Sequence, residues 1–360
     1  MSRPRSGGAD DVEQSRRMPL RRTRFGRLRD ARRHCAMWLY RGTIAWPVRL
    51  ASWALVAVPV ASLFGLVWVP VAIIGVELAW IAGMQWSWFR QQREQALLEA
   101  ESAEKRRIAF AAFGVAGPGE LLHTAGSFAW RAGDLVFKSA PSVEEWSWLG
   151  EHLPTVREDG FRLSLPVPAF DGRWVVDRWC AQTWLAGDHQ GWDRWLEVLA
   201  LCERFHRASG HLPRPSFIEE RTHPWAIGDR VAWGEADPPT PDPWLERLLA
   251  LRSAVSLPSQ VIHGDFTDNV LFAEGLAPAI IDPTPYWRPA GFASAIVVHD
   301  AIRWWSEDPE PLVTATAHIQ AFPQLFVRAA IYRMVTSILM GSDDPATRRE
   351  VVDLATRLAG

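Results

Sequence analysis

The longest apolar run of the chain lies near its N-terminus. Between Arg49 and Arg90 the one charged residue is Glu77. A helix needs about 20 residues to cross the hydrocarbon core of a membrane, so the run predicts a transmembrane helical hairpin over residues 49–90. A buried pair of helices in a soluble protein is the alternative, but so uniform a run leaves no polar face for a helix in water.

The flanks of this run are basic. Residues 1–49 contain 13 Arg and four acidic residues, a net charge of +9, whereas the whole chain carries −2. Because basic flanks stay on the cytoplasmic side, both ends of the hairpin are expected in the cytoplasm, and the chain is expected in the inner (cytoplasmic) membrane. Residues 1–48 are predicted to be a partly disordered arm or an amphipathic helix on anionic lipid. Residues 91–107 are predicted to be a helical linker.

Two other function classes receive less support. A basic arm can also bind nucleic acid, but no base-reading motif accompanies this one. The three cysteines are widely spaced, form no metal-ligand pattern and are expected to be free thiols. The chemistry is therefore expected in the remainder of the chain.

Beyond the linker the pattern alternates between short apolar runs and longer helical periods. Strands are predicted over residues 128–131, 135–138, 174–179, 261–263, 269–272 and 278–281, and helices over residues 192–209 and 292–305. Both strands and helices are therefore expected in this part of the chain.

Two of these strands form a short hairpin near residue 275. If they pair antiparallel with Phe272 opposite Ala279, Asn269 falls opposite Asp282 at the mouth of the hairpin. Neighbouring strands lie about 4.8 Å apart, so the two side chains could hold one hard cation.

The loop that enters this hairpin carries Asp265. Phosphoryl transfer from a nucleotide needs a carboxylate that orients the attacking hydroxyl, and an Asn and an Asp that position Mg²⁺ on the phosphates. Asp265, Asn269 and Asp282 supply those groups. The alternative is a polar turn between buried strands, in which His263 is a structural residue.

A second signature lies in the hairpin predicted over residues 128–138. Its second strand ends at Lys138, as does the strand that carries the phosphate-binding lysine of kinases. The loop before the hairpin contains Gly126 and Ser127, whose backbone amides would cover the phosphates.

These motifs resemble a known family. His263-Gly264-Asp265, Asn269 and Ile281-Asp282 are similar to the catalytic loop and metal motif of the aminoglycoside phosphotransferase and choline kinase-like family, relatives of protein kinases. The interval between Asp265 and Asn269 is one residue shorter here than in the better-known members.

The resemblance covers about residues 113–360. It is nearest to an actinobacterial branch of the family, through Trp225–Glu235 and Tyr286–Pro289. It implies an α+β, protein kinase-like two-lobed fold preceded by the hydrophobic hairpin, with a small β-rich N-lobe over residues 108–182 and a mostly helical C-lobe over residues 183–360.

The resemblance also implies roles for single residues. The catalytic residues would be Asp265 and His263; Mg²⁺ would be held by Asn269 and Asp282; ATP would be bound by Lys138, Glu145, Gly126 and Ser127. Glu145, from the helix after the lysine strand, would hold Lys138 in place.

The expected function is that of a membrane-tethered, ATP-dependent phosphotransferase that acts on a small-molecule hydroxyl. An acidic stretch over residues 306–310 suits a cationic acceptor. The alternative is a catalytically weak pseudokinase that serves as a membrane-anchored nucleotide-binding scaffold. The sequence leaves the acceptor, and ATP against GTP, open.

Overall fold

The structure is a computed structural model that describes residue 93 and residues 102–117, 119–123, 128–140, 142–189, 193–305, 307–341 and 345–360. The arm predicted over residues 1–48 and the transmembrane hairpin predicted over residues 49–90 lie outside the described residues. Within the described ranges, no helix is both long and apolar enough to cross a membrane. The hairpin therefore stays a prediction. Residues 99–360 form one compact unit.

An antiparallel sheet forms the N-terminal part of this unit. Its strands are β1 Glu120–His123, β2 Phe128–Ala132, β3 Leu135–Ser139, β5 Pro166–Val167, β6 Val175–Val176 and β7 Trp179–Thr183. Their order in the sheet is β1-β2-β3-β7-β5, and β6 pairs with β7. The predicted hairpin is confirmed as β2 and β3, which meet at Gly133, a residue with a positive φ of 61° that glycine adopts without strain.

A helix over residues 102–112 packs on this sheet. Its Phe110 is fully buried and stacks on Phe137 of β3 with the ring centroids 3.9 Å apart, and the guanidinium of Arg106 lies 3.9 Å from the ring centre of Trp130. The predicted boundary between a linker ending at residue 107 and an N-lobe starting at residue 108 falls inside this helix and stays a prediction. The helix continues across it because its apolar face completes the core beneath the sheet.

Helices form most of the C-terminal part. The helices are α1 Val143–His152, which follows β3, α2 Trp195–Ser209, α3 Pro224–Trp233, α4 Pro243–Leu251, α5 Ala290–Trp305, α6 Pro309–Thr316, α7 Phe322–Leu339 and α8 Pro345–Ala359. The central helix is α7, which packs on α3, α4, α5 and α8. A sheet-rich first part and a helical second part agree with the α+β prediction.

Short strands connect the two parts and carry the polar loops. The strands are β4 Arg162–Leu163, β8 Gln260–His263, β9 Val270–Leu271, β10 Ala279–Ile280 and β11 Pro285–Arg288. The strand β4 comes from the N-terminal half of the unit and pairs in parallel with β10. β8 pairs antiparallel with β11, and β9 with β10. The polar loops after β8 and β10 are thereby held beside the first sheet.

The predicted register of β9 and β10 is wrong by one residue. Ala279 lies opposite Leu271 instead of Phe272. Phe272 is used elsewhere, because its backbone N–H and C=O both bond to Asp188, at 3.0 and 2.9 Å. Asn269 consequently lies across from Ile281, whose N–H it accepts at 2.9 Å, and one position away from Asp282.

Candidate active site

The loop after β8 presents Asp265. Gly264 donates its backbone N–H to Thr284 O at 2.9 Å, and a Cβ on Gly264 would lie 2.3 Å from the ring of Tyr286. Glycine thus lets the loop approach β11 closely. The turn leaves the Asp265 side chain 45% exposed, so its carboxylate is available to a ligand.

Two buried histidines support this loop from behind. His206 of α2 donates from Nδ1 to Cys202 O at 2.6 Å and accepts the backbone N–H of His263 on Nε2 at 3.0 Å. The ring of His263 donates from Nε2 to Ile281 O at 3.2 Å and accepts the N–H of Asp265 on Nδ1 at 3.2 Å. Burial lowers the pKa of His263 to about 4 and that of His206 to about 3. Both rings are therefore neutral at pH 7.

These bonds correct the predicted role of His263. Its side chain is buried and both ring nitrogens are bound to backbone groups. It cannot touch a substrate in this arrangement. The structural alternative applies instead, and His263 is a positioning residue for Asp265.

A buried chain of charges holds the Asp265 side chain. Arg333 of α7 donates from Nη2 to Asp265 Oδ1 at 2.9 Å and to Asp300 Oδ2 at 2.5 Å, and from Nε to Asp300 Oδ1 at 3.0 Å. His299 Nδ1 lies 3.0 Å from the same Asp300 Oδ1. Burial acts to raise the pKa of Asp300, but Arg333 and His299 outweigh it and the pKa falls below its ordinary value. Asp300 of α5 therefore supports the loop after β8 through Arg333.

Asn269 lies at the end of the loop after β8 and bonds back to its beginning. Its Nδ2 donates to Asp265 O at 2.6 Å. That bond fixes the amide, so Oδ1 is the acceptor left for a ligand. Asp268, the residue before it, has a positive φ of 62°, a conformation that an Asp tolerates at a cost.

The carboxylate of Asp282, two residues beyond β10, contacts side chains of the first sheet. Lys138 of β3 donates to its Oδ1, and Gln182 of β7 donates from Nε2 to the same oxygen at 2.7 Å. Burial acts to raise the pKa of Asp282, but the charge of Lys138 and the two donated hydrogen bonds outweigh it and lower the pKa. Asp282 has a φ of 51° and precedes Pro283. Backbone strain of this kind is found at sites with a function.

The expected contact between Lys138 and Glu145 is not formed. Glu145 of α1 is buried and pairs with Arg221, with Nη2 to Oε1 at 2.6 Å and Nε to Oε2 at 3.2 Å. Arg221 is itself fixed by a 2.7 Å bond from Nη1 to Pro285 O. Arg221 thus holds Glu145 by one hydrogen bond from Nε and a close charge contact of Nη2, while Lys138 pairs with Asp282 instead.

The structure thus brings together five of the eight predicted site residues in one place: Lys138, His263, Asp265, Asn269 and Asp282. Glu145 lies on the neighbouring helix with another partner. Gly126 and Ser127 lie outside the described residues, in the connection between β1 and β2, so their role stays a prediction.

Three further residues of the site were not found by sequence reasoning: Gln182, Arg221 and Arg333. Arg333 carried a signal, because it lies within the mostly apolar helix α7, where a charge needs a partner. Gln182 and Arg221 carried none, since each lies in a stretch without a motif.

The residues present fit a magnesium ion. Asp282 Oδ2 accepts no hydrogen bond within the described part of the chain, and Asn269 Oδ1 is similarly unused, so the donor set consists of oxygen atoms, as a hard cation requires. No cluster of three or more His, Cys, Asp or Glu that could hold a metal occurs among the described residues. Mg²⁺ is commonly bound by one or two carboxylates together with phosphates and water, so a sparse protein set agrees with it.

No protein-family model and no curated protein matches the chain. Among solved structures it is similar to a thermostable mutant of aminoglycoside phosphotransferase APH(4)-Ia in its apo form, with 11% identity, a TM-score of 0.47 and coverage of 71% of this chain and 98% of that one. Spectinomycin phosphotransferase APH(9)-Ia in complex with ADP and spectinomycin has 12% identity, a TM-score of 0.47 and coverage of 72% and 98%. An aminoglycoside phosphotransferase from Alicyclobacillus acidocaldarius has 14% identity, a TM-score of 0.43 and coverage of 70% and 91%. Because each TM-score lies below 0.5, the function of this chain is inferred from its own side chains.

Proposed function

We propose that the chain is an ATP-dependent phosphotransferase that acts on a hydroxyl group of a small molecule. The observation that carries the proposal is the direct ion pair between Lys138 and Asp282, which lie 144 positions apart in the sequence. The pair sits beside a loop that presents Asp265 and Asn269. A lysine on a strand, a metal-type Asp and Asn, and an available carboxylate are the groups that phosphoryl transfer uses.

Each group has a distinct task in this proposal. Lys138 moves from Asp282 to the phosphates of the nucleotide, whose negative charge then compensates the positive charge of the lysine. Asp282 and Asn269 would hold Mg²⁺, which would supply positive charge to the phosphates when it is bound. Asp265, fixed on one side by Arg333, accepts a hydrogen bond from the attacking hydroxyl and aligns it with the terminal phosphate.

The acceptor is proposed to be a small molecule with a hydroxyl group, and a cationic one fits the charge of the chain. Residues 50–360 carry a net charge of −11, given +9 for the first 49 residues and −2 overall. Opposite charge favours encounter with an amine more than it adds affinity.

Turnover of ATP by the full chain in detergent, with Mg²⁺ and a panel of small hydroxylated amines, tests this proposal. Asp282→Ala and Asp265→Ala are each expected to lower turnover by about 10²–10³-fold, the range seen when one electrostatic group of an active site is removed. The matched control is Asp171→Ala, which removes an exposed carboxylate paired with Arg173 in a turn of the N-terminal part. Equal turnover in all three variants would contradict the proposal.

A second candidate is a nucleotide-binding scaffold without catalysis. The pairing of Glu145 with Arg221 favours it, because Lys138 then lacks the carboxylate expected to hold it on the phosphates. A scaffold would bind ATP but hydrolyse or transfer it negligibly, and Asp265→Ala would leave binding and turnover unchanged. The turnover measurement above separates the two.

Membrane attachment completes the proposal. We place residues 49–90 across the inner membrane as a hairpin, with both flanks and the phosphotransferase unit in the cytoplasm. The support is the apolar run with its single charge and the basic flanks. Extraction with alkaline carbonate is expected to leave the full chain in the membrane pellet, and release into the supernatant would argue against a spanning hairpin.

A further inference from the structure

The side chain of Gln182 is placed where neither sheet packing nor the sequence motifs require a polar group. It lies on β7, between β3 and β5, opposite Val136 and Pro166. It is 4% exposed. An apolar residue would fill this position without the need for hydrogen-bond partners.

The amide of Gln182 is satisfied on one side only. Its Nε2 donates to Asp282 Oδ1 at 2.7 Å, while its Oε1 is buried and has no hydrogen-bond partner. A carboxylate can only accept hydrogen bonds, so the nitrogen must face Asp282. Burial of an unpaired carbonyl is unfavourable, and the bond to a charged carboxylate is what offsets it.

The bond from Gln182 determines which oxygen of Asp282 remains for a ligand. Lys138 and Gln182 both donate to Oδ1 of Asp282, so Oδ2 is the oxygen left to bind a cation. When Lys138 moves to the phosphates, as the proposed function requires, Gln182 is the donor that remains on Oδ1. Its backbone is fixed on both sides within the sheet, so it can hold the carboxylate through the exchange.

We propose that Gln182 is a positioning residue that fixes the orientation of Asp282 toward Mg²⁺ while Lys138 is exchanged onto the nucleotide. This inference rests on the proposed function and adds the residue that maintains its metal site. Residues that orient metal ligands in this way typically change metal affinity by about 10–100-fold when they are replaced.

The test uses the full chain in detergent and two probes. Mn²⁺ binding in the presence of ADP is measured by the electron paramagnetic resonance signal of free Mn²⁺, and ADP binding without metal is measured by calorimetry in EDTA. Gln182→Met keeps a similar volume and removes the donor. It is expected to weaken Mn²⁺ binding by about 10–100-fold and to leave ADP binding without metal unchanged, because Lys138 is intact.

Two further variants make the result specific. Gln260→Met removes a different glutamine, which is partly buried and donates to His206 O at 2.6 Å, and it is expected to bind Mn²⁺ as the wild type does. Gln182→Asn keeps the amide but is one methylene too short for the bond, so it is also expected to weaken Mn²⁺ binding by about 10–100-fold. It provides the test if the methionine variant does not fold.

The outcomes separate the inference from the proposed function. If the wild type binds Mn²⁺ with ADP and both Gln182 variants bind it equally well, the inference fails and the proposed function stands. Equal weakening of Mn²⁺ and of metal-free ADP would also overturn the inference, because it would show a general disturbance of the pocket. A wild type that binds neither probe would overturn both.

Discussion

Arg333 shows how a single buried charge supports an exposed reactive group. It is 9% exposed, and its guanidinium lies between the fully enclosed Asp300 and the available Asp265. A buried pair contributes little over apolar packing, but removal of one partner leaves an uncompensated charge. The role of Arg333 is therefore to position Asp265 rather than to add net stability to the fold.

Arg333→Met is expected to lower the free energy of unfolding by about 3–5 kcal/mol, because Asp300 would remain buried without its cation. Urea denaturation at pH 7 measures this. The double variant Arg333→Met with Asp300→Asn is expected to recover part of the loss, since no buried carboxylate is then left unpaired. A double variant as unstable as the sum of the two single variants would contradict this reason.

His206 and His263 give the unfolding free energy a pH dependence with a definite sign. Their pKa values in the folded chain, about 3 and about 4, lie below the unfolded value of about 6.5. Between those limits the unfolded chain binds more protons, so the stabilisation is complete above about pH 6.5 and is lost as the pH falls toward 4.

Each histidine is expected to contribute a slope of up to about 1.4 kcal/mol per pH unit within that window. Urea denaturation between pH 7 and pH 5 measures the slope, and His206→Gln is expected to reduce it while keeping a donor and an acceptor near Cys202 O. The exposed His211 provides the control, because His211→Gln should retain the wild-type slope. The same slope in all three proteins would show that the buried rings are not its source.

At the scale of single elements, the turn between β6 and β7 contains backbone strain that a change of sequence would relieve. Its two loop residues, Asp177 and Arg178, have φ values of 51° and 69°. Two consecutive positive φ angles form the type I′ turn that suits a two-residue hairpin, and Asn-Gly is its preferred sequence.

Replacement of Asp177-Arg178 by Asn-Gly is expected to stabilise the fold by about 1 kcal/mol, because a left-handed conformation costs a residue with a side chain about 1–2 kcal/mol and glycine much less. The Tm measures the gain. Gly133→Ala is the opposite control: its φ is 61° and a Cβ there would meet nothing within 4 Å, so strain alone should lower the Tm. An unchanged Tm in both variants would contradict the argument.

The crossing of α3 and α7 depends on a glycine. A Cβ on Gly228 would lie 2.7 Å from both Tyr332 O and Thr336 Oγ1. Gly228→Ala gains about 1 kcal/mol of helix propensity, but overpacking costs about 1–3 kcal/mol. The carbonyl of Tyr332 cannot move aside easily, because it belongs to the backbone of α7. We expect a net loss of up to about 2 kcal/mol in urea denaturation. The addition of Thr336→Ala should recover little, and full recovery would place the clash on the hydroxyl instead.

Local pattern was sufficient to predict elements but not their partners. The hairpin of β2 and β3 and the strand that ends at His263 agree with the prediction, because alternation and turn residues act within a few positions. The register of β9 and β10 failed because Phe272 bonds to Asp188, far away in the sequence. Likewise, the bond between Glu145 and Arg221 spans 76 positions, and no local signal selects such a partner.

At the scale of the whole unit, the site depends on contact between its two parts. Lys138 belongs to the first sheet and Asp282 follows a strand of the second part, and β4 pairs across the same boundary with β10. Composition and a motif resemblance predicted two lobes and the residues at their junction. They could not predict that Lys138 and Asp282 pair directly with each other, because that depends on the distance between the two parts.

A nucleotide held at this junction should therefore stabilise the unit as a whole. At 100 times its Kd, a ligand that binds the folded state alone contributes about 2.7 kcal/mol, which for a unit of this size raises the Tm by roughly 5–10 °C. Differential scanning calorimetry of the full chain with MgADP is expected to show the two parts unfolding together and shifting together. Lys138→Met should lose the shift with and without metal, whereas Asp282→Ala should lose only the part that Mg²⁺ adds. A shift confined to one of two separate transitions would mean that the nucleotide contacts one part alone, and the junction between Lys138 and Asp282 would then not be its binding site.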